Sequence, residues 1–197
     1  MKSLYRYFLN APTTLTLILL TPAAFIFNLW ASNILTESYI ASKFPVPYFV
    51  AQLSFNPEQL KTWYGVLIEQ GMLDKFLQTQ HIDSLFIVST LLLHCVVLLL
   101  ISRLFAANSK GRKIMVICAL ISAIAPACDQ LENLVSYVML ANPRDFFSGL
   151  AYIYSSFAAI KFAFFVFAYV TAAIGLVAGL ISVIIRSKKS PMISQHA

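Results

Sequence analysis

Charge is what this chain has least of. Asp, Glu, Lys and Arg make up 11% of its 197 residues, and 59% are hydrophobic; an ordinary soluble domain carries about 25% charged residues. Such a composition excludes a water-soluble fold and specifies a polytopic membrane protein of one domain. Glycine is also scarce, with six residues, and no phosphate-binding glycine loop is present. Neither His-Glu-x-x-His, Gly-x-Ser-x-Gly nor Cys-x-x-Cys occurs, which removes the familiar zinc-protease, serine-hydrolase and dithiol chemistries. The three cysteines, Cys95, Cys118 and Cys128, fall inside apolar stretches with no zinc spacing, so they read as small buried apolar residues and no metal or other cofactor is implied. The formal net charge of +6 does not signal nucleic acid, because the basic residues flank apolar spans, where topology and anionic lipid account for them.

What is there is long hydrophobic runs. Four segments reach the roughly 20 apolar residues that a bilayer crossing needs: about residues 12–31, 84–101, 114–140 and 151–185. Together they define an all-α, four-helix transmembrane bundle over residues 1–186, followed by a polar, disordered tail at 187–197. Pro22 and Pro126 are candidate kink sites. The first span reads as an uncleaved helix and not as a signal peptide, its apolar stretch being too long for one. Lys2 and Arg6 precede it; Arg103, Lys110, Arg112 and Lys113 lie between spans two and three; Arg186, Lys188 and Lys189 follow span four. The basic excess on one side places both termini in the cytoplasm of a multi-pass protein of the cell membrane.

The outer loop, about residues 32–80, is too long for an idle connection. Asn56-Pro57-Glu58 is a helix start, with Asn as cap and Pro at the first position. Leu60, Trp63, Tyr64, Leu67 and Ile68 then recur at helical spacing on one apolar stripe, and Gly71 ends the helix. An amphipathic helix of this kind either lies in the membrane interface or packs on the spans and caps the bundle. Asp74 to Gln80 reads as a further turn before His81-Ile82-Asp83 at the mouth of span two.

The candidate site is in the third span. Asp129, Glu132 and Asn133 stand at i, i+3 and i+4 and so share one helix face, which Ser136 and Tyr137 extend outward. A carboxylate at the centre of a membrane helix costs about 2.5–3.5 kcal/mol on insertion scales and needs a partner, a proton or a wet cavity. At 1.5 Å per residue Asp129 lies about 16 Å below the outer end of its span and Lys161, on the fourth span, about 15 Å below the same side. The two match in depth and are expected to pair. Asp83 can close the group from span two, and Tyr154 and Ser155 stand above Lys161. Asp83, Asp129 and Glu132 against one Lys161 leave an excess of negative charge, so one carboxyl is expected to hold a proton or a cation is expected to complete the site. His94 reads as a hydrogen-bonded core residue, and His81-x-Asp83 as a solvated helix start. Gly175 and Gly179 form a Gly-x-x-x-Gly that permits either close packing within the chain or a homo-oligomer.

With its Asp129-x-x-Glu132-Asn133, its Lys161 and its Tyr64-Gly65 to Asp83 stretch, the chain resembles a family of small bacterial four-span membrane proteins that carry no assigned activity. It shares only general architecture with four-span sterol isomerases, whose acids are distributed over different spans. Three functions remain open on these residues. One is binding or transport of a small amphiphile, proton or cation at Asp83, Asp129, Glu132, Asn133, Tyr137 and Lys161. Another is a lipid- or isoprenoid-modifying enzyme with Asp129 and Glu132 as catalytic acids. The third is a structural membrane subunit. Membrane lipid is the expected partner in each.

Overall fold

In the computed structural model, which describes residues 2–189, the chain is all-α: α1 (Lys2–Asn10), α2 (Thr14–Ala41), α3 (Tyr48–Gln52), α4 (Pro57–Glu69), α5 (Leu73–Ser102), α6 (Lys110–Ile121), α7 (Ile124–Ala141) and α8 (Gly149–Lys189). Four helical stretches are long and apolar enough to cross a membrane: α2, α5, α6 with α7, and α8. The protein is an integral, multi-pass membrane protein. Its exposed surface on α2 and α8 is lined by side chains such as Leu15, Leu19, Ile26, Val166 and Ile174, an arrangement that only lipid solvates without cost.

The helices overrun the apolar segments legible in the sequence. α2 continues ten residues past the expected end at 31, and α5 begins at Leu73, so the connecting loop is residues 42–72 and not 32–80. Asp74 to Gln80 is no separate turn but the start of α5. Hydropathy marks where lipid begins, whereas backbone hydrogen bonding carries a helix on into the polar region. The third span is broken: the chain turns at Ser122 and Ala123, between α6 and α7. Pro126 explains the break, because it has no N–H for the Ser122 carbonyl and its ring would clash with that carbonyl in a continuous helix. Pro22, by contrast, sits inside an unbroken α2. Of the polar tail, 187–189 extend α8 and 190–197 lie outside the described residues.

Two compact units are distinguished. The terminal unit holds the described residues up to Ala24, Leu92–Ala123 and the described residues from Phe165; the loop unit holds Phe25–Leu91 and Ile124–Phe164. Helices α2, α5 and α8 contribute to both.

In the terminal unit, Leu17, Leu98, Leu99, Ile101, Met115, Val116 and Ala119 form the core, with Tyr5, Phe8 and Leu9 of α1 packed on it at i, i+3 and i+4. Gly175 and Gly179 are covered from within the chain: a Cβ at Gly175 would lie 2.7 Å from Met115 and one at Gly179 2.8 Å from Leu104. The end of α1 is closed by arginine. The Arg103 guanidinium donates to the carbonyls of Leu9 (2.6 Å), Phe8 (3.0 Å), Pro12 (3.1 Å) and Ala11 (3.2 Å), and Arg112 donates to Leu9 (2.7 Å). Arg186 reaches the Leu104 carbonyl beyond the end of α5. The carbonyls at a helix C-terminus have no intrahelical donors and carry partial negative charge, so cations complete them.

In the loop unit, α4 forms as its sequence predicts. Asn56 Oδ1 accepts from Gln59 N–H at 3.1 Å, Pro57 opens the helix, and Gly71 ends it at φ 67°, a conformation that costs a residue with a Cβ about 1–2 kcal/mol. The apolar stripe does not face the membrane interface. Leu60, Tyr64 and Leu67 are buried against Phe76, Met139, Leu140, Phe146, Ala151 and Tyr154, so α4 packs on α5, α7 and α8.

Candidate functional site

The polar residues of α7 are distributed between two neighbouring helices by helical rotation. Asp129, Glu132, Asn133 and Ser136 are all buried on one face of α7, while Leu131, Leu134 and Val138 on the opposite face are exposed. Sequence spacing predicted this division.

Lys161 of α8 joins both acids. Its Nζ lies 2.7 Å from Asp129 Oδ1 and 2.6 Å from Glu132 Oε2, and all three residues are at most 3% exposed. The Asp129 contact is also a well-aligned hydrogen bond. The Glu132 contact is an ion pair by distance alone, since neither Glu132 carboxyl oxygen has an aligned hydrogen-bond partner. Oε2 feels the ammonium at 2.6 Å, whereas Oε1 has no hydrogen-bond partner. Lys161 was expected to take one of the two acids; it takes both.

On the other side of the same face, Asn133 Nδ2 donates to Asp83 Oδ2 of α5 at 2.6 Å. One turn outward, Gln80 Nε2 donates to Ser136 Oγ at 2.6 Å, and His81 Nδ1 meets the Tyr137 hydroxyl at 3.1 Å with the two rings stacked. The residue pairs 83–133, 80–136 and 81–137 run in opposite directions along α5 and α7, as antiparallel neighbours require. All six residues named from the sequence (Asp83, Asp129, Glu132, Asn133, Tyr137 and Lys161) are therefore engaged on the inner and flanking surfaces of α7. Asp83 meets the group through Asn133, and Tyr137 is turned toward His81.

Tyr64 enters from the loop and was not foreseen. Its hydroxyl, on a side chain 1% exposed, meets Ser136. Burial first, and the charge of Glu132 after it, hold this phenol well above its ordinary range, against the opposing pull of the Ser136 hydrogen bond. In the sequence Tyr64 is one position of an apolar stripe, and nothing in that stripe distinguishes a ring whose polar tip meets the Ser136 hydroxyl. Gln80 was missed for a similar reason, being read as the end of a turn.

Tyr154 and Ser155 do not join the ion pairs. Tyr154 packs with Tyr64 in the apolar cluster of the loop unit, and Ser155 Oγ accepts from the Phe55 N–H at 3.2 Å. A further clamp, also unforeseen, binds α2 to α5: Asn28 Nδ2 donates to Ser89 Oγ and Thr90 Oγ1 at 3.0 and 2.9 Å, and Ser38 meets Thr79 at 2.8 Å.

His94, in the terminal unit, corrects an expectation. It is buried, yet neither ring nitrogen has a hydrogen-bond partner; its ring stands edge-on to Phe165 and perpendicular to Tyr169, with centroids 5.7 and 5.3 Å away. Aromatic packing, and not hydrogen bonding, accommodates it.

Chemically, the cluster is a pair of carboxylates around one ammonium in low dielectric, with one carboxylate oxygen unsatisfied. It can accept a proton or a donor group at Glu132 Oε1. Among the described residues no three His, Cys, Asp or Glu side chains are disposed to hold a metal ion. No protein-family model, no curated protein and no solved structure matches this chain.

Proposed function

We propose that this protein is a membrane binding or transport protein whose ligand is a proton or the cationic head of a small amphiphile, taken up at Asp129, Glu132, Asn133 and Lys161. The observation that carries the reading is Glu132: fully buried, with Oε1 free of any hydrogen-bond partner, beside a second carboxylate that shares its only cation. A buried unsatisfied acceptor costs about 1–3 kcal/mol, more when charged, and a proton or an ammonium head group removes that cost. Intramembrane carboxylates paired with a lysine recur where protons or ions are handled. Asp83 and Tyr137 belong to the same site as its outward edge. The positive-inside arrangement of Lys2, Arg6, Lys110, Lys113 and Lys188 orients the loop and the site toward the outer side, with both termini cytoplasmic.

A second reading is supported by the closeness of the Lys161 contacts: the triad joins α7 to α8 and does nothing more. The two are separated in vesicles loaded with a pH-sensitive dye. After an external pH step, wild-type vesicles should equilibrate faster than protein-free ones, or a fluorescent long-chain alkylamine should bind them saturably, and Glu132→Gln should abolish the response while thermal stability is kept. Equal flux and equal amine binding in wild type and Glu132→Gln would leave only the structural reading.

A further inference from the structure

With α4 packed inward, a different part of the loop is left to meet the bilayer. Between Lys43 and Glu58 the chain has no charged residue, and within this stretch α3 buries Ala51 while Tyr48, Phe49, Val50, Leu53 and Phe55 are each 39–53% exposed. Apolar exposure of this kind on a loop calls for a partner.

The segment is held rigidly, so the exposure is not that of a floppy connection. The Tyr39 hydroxyl donates to the Val46 carbonyl at 2.7 Å, the Phe44 ring stacks on Phe76 with centroids 4.8 Å apart, and the Phe55 N–H is bound by Ser155. Lys43 and Phe55, at φ 53° and 48°, turn the backbone sharply at its two ends. Both carry side chains in a region that such residues rarely adopt, so surrounding contacts must hold them there.

Helix pairing within the loop unit gives the level of this segment along the membrane normal. On α5 the exposed side chains change from polar (Asp74, Gln78, His81) to apolar (Val88, Leu91), which places the hydrocarbon boundary shortly after His81. His81 is level with Tyr137 of α7. Lys161 is level with Asp129 and Glu132, so five to eight residues toward the start of α8, at about 1.5 Å each, brings Ser155 to that same boundary. Ser155 holds Phe55. At the other end, Ser38 pairs with Thr79, so Tyr39 stands about 3–5 Å above the His81 level, and Tyr48 packs edge-on against Tyr39. Both ends of the exposed aromatic stretch therefore lie at the boundary between hydrocarbon and head groups.

We infer that residues 44–55 form an in-plane membrane anchor, with Tyr48, Phe49, Leu53 and Phe55 inserted into the leaflet on the loop side and Lys43 directed to lipid phosphate. Aromatic rings are at home at this depth, where a flat apolar body and a polar tip are both solvated. The occupant of this face is lipid and not a second copy of the chain, because its level coincides with the interface fixed by α5, α7 and α8. The inference is independent of the proposed ligand site.

The test uses the wild-type protein in phosphatidylcholine vesicles containing a phospholipid with a diazirine on its acyl chain. After illumination and proteolysis, mass spectrometry should find lipid adducts on the peptide bearing Tyr48–Phe55 as well as on Val166 and Val170 of α8. Adducts on α8 with none on Tyr48–Phe55 would overturn the inference. As a second readout, Phe49→Trp in a background lacking Trp30 and Trp63 should show blue-shifted emission quenched by lipids brominated near the head group. Thr62→Trp, on the outward face of α4, should emit as in water. Emission at Phe49→Trp that is quenched by acrylamide, or that shifts with protein-to-lipid ratio but ignores brominated lipid, also overturns it; the latter result would assign the face to a second copy.

Discussion

The two units neutralise charge in different ways. In the terminal unit three arginines near helix ends take main-chain carbonyls as partners: Arg103 takes four of them, Arg112 takes Leu9 and Arg186 takes Leu104. Helix termini supply partial charge wherever a chain turns, so these cations need no acidic side chain. In the loop unit the buried charges of Asp129, Glu132 and Lys161 lie along the sides of helices, where the backbone groups are already bonded. There Lys161 must find Asp129 and Glu132, and Asp83 must find Asn133. Position along a helix thus decides whether a buried charge needs a partner side chain. A partner side chain in turn creates a titratable cluster, and so a possible function, where a capped terminus creates only a joint.

The comparison is tested most severely by removing Lys161, the cation that both buried acids of the loop unit share. Lys161→Met leaves two buried carboxylates facing each other and should cost about 3–5 kcal/mol, read as a loss of thermal stability in detergent. The Asp129→Asn/Glu132→Gln/Lys161→Met triple variant should recover most of that loss while remaining inactive in the flux and amine assays. Arg103→Ala is the counterpart in the terminal unit. It removes charge-assisted bonds of which one is worth about 1.5–3 kcal/mol, and hydrogen exchange should show α1 released with the amides of α7 still protected. Deprotection of α7 to the same extent would contradict the separation of the two units. Burial, and then the nearby Arg112 charge, lower the proton affinity of the Arg103 guanidinium, yet it stays cationic, so this contact should persist across the accessible pH range.

Smaller effects sharpen the picture. Tyr64→Phe should cost about 1 kcal/mol for the lost Ser136 bond. The phenol is raised in the folded protein, so its contribution is complete below the unfolded value of about pH 10 and falls as pH climbs beyond it; the variant should lose that alkaline slope in a pH series of melting temperatures. Smallest is His94→Phe, expected to be as stable as wild type or more so. The substitution removes two unsatisfied nitrogens and keeps an aromatic ring. A large destabilisation there would show that His94 has a polar partner and that the terminal unit, too, holds an interior site.

Much of the candidate site is legible in the sequence. Asp129, Glu132 and Asn133 were placed on one face by spacing, and Lys161 was matched to them in depth by helical rise, because both inferences need only the dimensions of a single helix. The Asn56 cap, Pro57 start and Gly71 stop of α4 were legible for the same reason: each is a contact within a few residues. The fold class followed from span length and charge scarcity. The loop boundaries were less legible, since α2 and α5 run past the lipid-facing residues that mark them in the sequence.

Four apolar spans, a capped loop helix and a depth-matched set of two acids and a lysine are thus written in the residues alone. That Lys161 takes both acids and leaves Glu132 Oε1 unsatisfied depends on the packed bundle. Tertiary packing also decided that Asp83 is held by Asn133, that Tyr64 reaches in from the loop, and that three arginines end on carbonyls. The physical reason is rotational. Periodicity gives the height and the relative angle of residues on one helix, whereas which neighbour a face meets depends on the rotation and packing of every helix in the unit, and that is a property of the whole core.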